Sequence, residues 1–391
     1  MSSDLKLGFI PLNDCAPLAV ADAQGFFRAE GLSVTLSREA SWATIRDKVA
    51  VGALDGGHML APMVLAAGLG LGGAGARLIA PLAMNLNGSA ITLAAAHAAE
   101  LRRLDPEGAA ARTARPLARL IEARRGQGAP LLTFAAVFPY SMHNYALRYW
   151  LAEAGIDPDR DVRLVTAPPP RMAEQLRSGL IDGFCVGAPW NAQAEADGTG
   201  EIVAWAADVW QAGPDKVLGV AEDWAEREPA TLQALLRALL RAAQWSDAPE
   251  NRPALAALLA RPDYVGAPSE VIARTLTDAP EGLIYHRYAA NFPWRSHASW
   301  FYAQMLRWGQ IAPSVEGSVT ARRVYRPDLY RVAATSLGVQ PPPQDDKIEG
   351  AHADPWSLDG LPMPADRFCD GRPFDPSEPE LYAAGFAITR A

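Results

Sequence analysis

The chain has 391 residues, 49% of them apolar and 20% charged, enough to bury a large core and to suggest two or more domains. Thirty-six basic residues against 44 acidic ones leave a formal charge of −8, which excludes general nucleic-acid binding, a function that wants a basic surface. No run of 18 apolar residues occurs, so no membrane-spanning helix is expected. The three cysteines, Cys15, Cys185 and Cys369, are widely spaced without a CxxC pair, and they read as small buried hydrophobes rather than disulfide or zinc ligands.

The first residues, Met1-Ser2-Ser3-Asp4, carry no basic start, apolar stretch or cleavage site; on that ground the expected location is the cytoplasm. Residues 5–10 alternate like a strand, and 16–27 read as a helix with Asp14 as its N-cap and Gly25 near its end. A strand over 33–36 leads to a helix over 42–54. The short strand 57–60 feeds a helix opened by Ala61-Pro62, with proline in its first turn. Strands over 77–82 and 90–94 flank an Asn85-Leu86-Asn87-Gly88 turn. Arg102, Arg103, Arg112, Arg115, Arg119, Arg124 and Arg125 follow among alanines, and read as a solvated helix face rather than a docking patch.

Beyond them come a strand (131–134), a helix (142–154), a strand (162–166), a helix (172–178) and strands over 183–186, 201–204 and 217–220. Residues 229–259 are mostly helical in pattern. The Pro- and Asp-rich stretch 340–379 keeps Trp356, Phe368 and Phe374, as an irregular tail packed on the body would. Alternating strand and helix units predict an α/β fold with largely parallel sheets. Two such series, joined near residues 85 and 215, predict two lobes: 1–86 with 215–391, and 87–214.

In open α/β sheets ligands sit beyond the carboxyl ends of the strands. The segments there run through residues 11–17, 41–42, 58–62, 85–89, 138–143, 187–191 and 214–216. They show no paired carboxylates, no Ser-His-Asp order, no phosphate loop and no dinucleotide fingerprint. What they offer is helix N-termini, free backbone N–H groups beside Gly56 and Gly57, one imidazole (His143), one ammonium (Lys216) and one indole (Trp42). Helix starts favour anions, and charged donors strengthen the grip. A small, weakly hydrated oxyanion suits that set. Taken singly, Trp42 reads as a core aromatic, His58 as a packing residue and Lys216 as surface; Asn191 and Gln193 are secondary candidates.

At these residues the chain resembles the nitrate- and bicarbonate-binding proteins of ABC transporters and their cytoplasmic nitrate/nitrite-sensor relatives of the NasS type. The resemblance is carried by the segments at 41–47 (SWATIRD), 55–63 (DGGHMLAPM) and 85–88 (NLNG). It continues through Phe138-Pro139 with His143-Asn144, the segments 148–151 (RYWL), 155–158 (GIDP) and 184–191 (FCVGAPWN), and 216–219 (KVLG). It implies a two-lobed periplasmic-binding-protein-like fold of type II, each lobe a mostly parallel sheet flanked by helices, closing on its ligand.

The family's ligand-contacting indole falls on Trp42, its histidine on His143 and its lysine on Lys216. Gly88 closes the Asn-x-Asn-Gly turn, and Ser89 stands where the family carries a glutamine, which loses reach. Ala188 replaces a glutamate common before Pro-Trp, weakening a bicarbonate-plus-metal reading. With the leaderless start, the resemblance implies a cytoplasmic nitrate or nitrite sensor. Such a sensor is not an enzyme, holds no cofactor, metal or nucleic acid of its own, and controls an RNA-binding antiterminator of the NasT type with an ANTAR domain. The alternative it implies is the binding component of a nitrate or bicarbonate ABC transporter. Pyrimidine-precursor synthases share the fold, but their cysteine-rich motif has no counterpart here.

Overall fold

A computed structural model describes residues 3–72, 75–277, 279 and 282–391; Met1 and Ser2, which carry part of the expectation about location, lie outside the described residues. The chain enters a first sheet through β1 (Ser3–Phe9), β2 (Leu32–Arg38), β3 (Gly56–Leu60) and β4 (Leu78–Ala83). It crosses to a second sheet built from β5 (Ser89–Ala94), β6 (Thr133–Ala136), β7 (Arg163–Thr166), β8 (Gly183–Gly187) and β9 (Gly200–Trp205), then returns as β10 (Lys216–Ala221).

The strand orders are β2-β1-β3-β10-β4 and β7-β6-β8-β5-β9. In each sheet the strand that arrives from the other lobe, β10 or β5, runs against its neighbours on both sides. The other four strands of each sheet point one way, as the two-lobed, mostly parallel fold requires.

The crossing segments lie side by side: Met84 N donates to Lys216 O (2.8 Å), Asn87 N to Gly213 O (2.9 Å), and Leu86 bridges Pro214. The strand face of β3 is buried along its whole length, and its central glycine has a packing reason. A Cβ on Gly57 would stand 2.8 Å from the Gly8 carbonyl oxygen and 2.8 Å from Ile45 Cγ2. The missing side chain lets the helix Trp42–Ala50 press onto the sheet. Gly56 and Gly57 are thus paired inside the ladder with Leu7 and Gly8 on one side and Val220 and Gly219 on the other, not free N–H groups for a solute, which corrects that expectation.

Further along, the helix Pro229–Asp247 buries Leu232, Leu235, Leu236, Leu239 and Leu240 against the first lobe. The helix Arg295–Arg307 reaches the second lobe: Trp300 stacks on Tyr149 (6.3 Å) and lies 4.7 Å from Trp210. The tail packs as expected and spans both lobes. Arg295 and Arg331 hold Asp345 at 2.7 and 2.6 Å, while Trp210 Nε1 donates to Asp366 (2.7 Å) and Arg390 pairs with Asp157 (2.6 Å).

Two smaller expectations change. Residues 16–27 form a helix only over Ala16–Ala23, with a separate turn of helix at Phe26–Ala29. Cys15 and Cys185 are buried, but Cys369 is exposed, because the turn after Phe368 returns to the surface. The arginine-rich stretch is a solvated face: Arg102 pairs with Glu201, Arg103 with Glu100, Arg112 with Asp208, Arg119 with Asp105 and Arg125 with Asp161.

Candidate functional site

Two serines start the helices that carry the site. Ser41 Oγ accepts from Thr44 N and Ser141 Oγ from Asn144 N, the side-chain capping that satisfies otherwise orphaned N–H groups. Trp42 therefore becomes the first residue of its helix and His143 the second residue of the helix Met142–Glu153. Lys216 opens β10 and Ser89 opens β5, so the crossing segments deliver them to the junction of the two sheets. Gly88, at φ +85°, makes the turn into β5, and its carbonyl accepts from Ala188 N (2.8 Å).

Lys216 is the centre of a sealed cluster. Its Nζ lies 2.8 Å from Asp14 Oδ2 and 2.7 Å from Asp215 Oδ2. His58 Nε2 stands 2.8 Å from Asp14 Oδ1, and His143 Nε2 3.3 Å from Asp215 Oδ2. Ser89 Oγ donates to the same Asp215 oxygen (2.7 Å). The Trp42 ring meets His58 edge-on at 5.2 Å, and the Lys216 ammonium stands 5.6 Å from its centroid.

No member of the cluster is more than 2% exposed. Asn13 N donates to Ala188 O (2.8 Å) and Trp190 Nε1 to Pro11 O (3.0 Å), so both contacts close the first lobe onto the second. A Cβ on Gly187 would lie 3.3 Å from Asp14 Oδ2 and 3.6 Å from His143 Nε2, and the bare backbone of β8 is what leaves room for that approach.

The electrostatics follow from burial. Desolvation pushes the Asp14 carboxyl upward, but Lys216 and then His58 outweigh it and hold it below its ordinary range. At Asp215 the same contest, against His143 and Lys216, ends far below the ordinary range. Lys216 is raised, because Asp14 and Asp215 overcome its desolvation. For His143 burial prevails over Asp215, and its imidazole is held below its usual range. Two carboxylates thus face one ammonium.

Sequence reasoning missed the carboxylates. Asp14 is not a helix cap: the helix after it has no side-chain cap, and its carboxylate goes to Lys216 and His58. The statement that the post-strand segments lack paired carboxylates is corrected, since Asp14 and Asp215 meet across Lys216. Both fall in segments already marked as post-strand, but 201 residues apart, and only closure of the sheet brings them together.

Asn191 donates to Ala90 O and Thr92 Oγ1, and Gln193 to Asp197; both are occupied within the second lobe. Trp42 Nε1, His58 Nδ1 and His143 Nδ1 are buried without a hydrogen-bond partner. The indole N–H is an orphaned buried donor, rare and costly, which a small acceptor-rich solute would satisfy; His143, with its Nε2 at Asp215, donates from Nδ1 only as the imidazolium. Among the described residues, no group of three His, Cys, Asp or Glu side chains is placed to hold a metal ion.

Residues 2–260 match the NMT1-like family. The chain belongs to that family. Within it, the chain is 32% identical to the nitrate/nitrite binding protein NrtA of Nostoc sp., over 98% of its own length and 86% of that protein. It is 37% identical to the nitrate import ATP-binding protein NrtC of Synechocystis sp., over 99% of its length. It spans only 56% of that protein and 55% of the bicarbonate transport ATP-binding protein CmpC of Synechococcus elongatus, so it covers little more than half of these relatives. The crystal structure of the periplasmic nitrate-binding protein NrtA from Synechocystis PCC 6803 superposes with a TM-score of 0.84 at 27% identity, covering 99% of both chains. The two-lobed fold of this NMT1-like chain is therefore that of the substrate-binding proteins.

Proposed function

We propose that the chain binds nitrate or nitrite between its lobes, without turnover, as a substrate-binding unit of an ABC-type import system. The observation that carries this is the convergence of Trp42, His143, Ser89 and Lys216 in one buried cluster with the orphaned indole N–H of Trp42. The relatives named for nitrate support the choice of anion. Lys216 supplies the cationic centre and the indole a donor, with His143 beside them and Gly88 and Ser89 at the turn into β5.

The import reading is preferred to the cytoplasmic sensor with an antiterminator partner, because the relatives are named for import or binding. The sensor reading rests on the resemblance alone. Titration calorimetry with nitrate, nitrite and bicarbonate tests the proposal; heats indistinguishable from dilution with all three would sink it. Co-purification with an ANTAR-domain protein, released by nitrate, would move the conclusion to the sensor. His143→Ala is expected to weaken binding by about 1.5–3 kcal/mol, the scale of a hydrogen bond to a charged group.

A further inference from the structure

We propose that Asp14 and Asp215 are specificity-determining residues that make the site take its anion together with a proton, which lands on the imidazole of His143. The inference rests on the oxyanion-binding reading above and concerns what else must enter with the anion.

The charge count is the argument. Apart from the imidazoles, the sealed cluster holds two carboxylates and one ammonium, a net −1. A monoanion added without compensation would bring it to −2, in a place that water cannot reach and where charge is poorly screened. One proton per anion keeps the cluster at −1.

The group that accepts the proton already faces an acceptor. His143 Nε2 lies against Asp215 Oδ2, so its imidazolium would form beside a carboxylate. Around His143 the helix start at Trp42 and the β5 start at Ser89 are uncharged, the Gly187 backbone on β8 is bare, β3 contributes His58, the Asn13–Cys15 turn contributes Asp14, and β10 contributes Lys216 with Asp215 before it. No second ammonium or guanidinium is paired to either carboxylate among the described residues. In the empty protein burial holds His143 below its usual range, so it is neutral at pH 7 and free to gain a proton. Nothing in the step is oxidised or reduced: solvent loses a proton, and an imidazole nitrogen gains it.

The sign is definite. Affinity is full below the free-protein titration of His143 and falls as pH rises above it, until the imidazole of the complex also titrates. Calorimetry of nitrate, which does not titrate in this range, at pH 7 in two buffers of different ionisation enthalpy reads the protons taken up per anion. Close to one is expected, with the dissociation constant rising about tenfold per pH unit. Asp14→Asn removes one negative charge and is expected to lose most of the proton uptake and to flatten the pH profile of whatever binding it shows. A merely structural role would weaken binding without changing that slope.

Nitrate binding with no proton uptake and a flat pH profile overturns the inference and leaves the binding reading standing. So does binding that appears only with an added divalent cation. No binding of nitrate or nitrite at all removes both. If Asp14→Asn does not fold, the two-buffer measurement on the unaltered protein decides alone.

Discussion

Lys216 illustrates how a single residue is committed twice. A buried ammonium survives only with hydrogen-bonded or ionic partners, and Asp14 and Asp215 supply them within 2.8 Å. Lys216→Met leaves both carboxylates without compensation. The expected loss is about 3–5 kcal/mol at neutral pH, read from urea denaturation, and it should shrink on acidification as the carboxyls take protons. The unaltered protein behaves in the opposite sense. Asp14 and Asp215 have folded-state values below the ordinary 3.8, so their stabilisation is present above about pH 4 and lost as pH falls. His297, buried and held well below 6.5, adds a loss that begins below about pH 6.5, because only the unfolded chain accepts that proton. Urea midpoints should fall between about pH 4 and pH 3; a midpoint that holds level or rises over that range would contradict the carboxylate assignment.

At the scale of elements, the site is aimed by helix starts. Ser41 and Ser141 hold the first turns that present Trp42 and His143, and each cap contributes roughly 0.5–2 kcal/mol. Ser141→Ala should lower stability by about 1 kcal/mol and weaken anion binding as well. Its serine also donates to Phe138 O and so fixes the turn before the helix. Paired denaturation and calorimetry separate the two effects; unchanged affinity would detach the cap from the site. Both caps are legible in the sequence as a serine before a helical pattern. The strand alternation likewise marks β1, β3, β5 and β10 within a residue or two. What one-dimensional pattern could not show is that a short 3-10 turn at Asn13–Cys15 directs Asp14 inward instead of leaving it as a cap.

On the scale of the molecule, the lobes are joined by the crossing segments, by Asn13 and Trp190, and by the C-terminal region. Trp300 packs against Tyr145, Tyr149, Trp210 and Phe368, so the helix Arg295–Arg307 is anchored to the second-lobe helix Met142–Glu153 and to the C-terminal tail. Trp300→Ala should cost about 3–5 kcal/mol, as large aromatic truncations in a core do, and should do so without changing proton uptake at the site. An anion that binds only the folded protein raises its stability by mass action, about 2.7 kcal/mol at a hundredfold excess over the dissociation constant. A thermal melt unmoved by saturating nitrate and nitrite would contradict the proposed function.

The order of strand and helix signals determined by itself that this is a two-lobed α/β protein, because hydrophobic period and turn chemistry are local properties. The same is true of the local placement of Trp42 and His143 at helix starts and of Ser89 and Lys216 at strand starts. The partners of Lys216 were decided by tertiary structure alone. Asp14 and Asp215 are distant in sequence, and only the antiparallel return of β10 between β3 and β4 sets them on one ammonium. Charge balance in a sealed cluster is a property of the assembled fold: no single segment carries it.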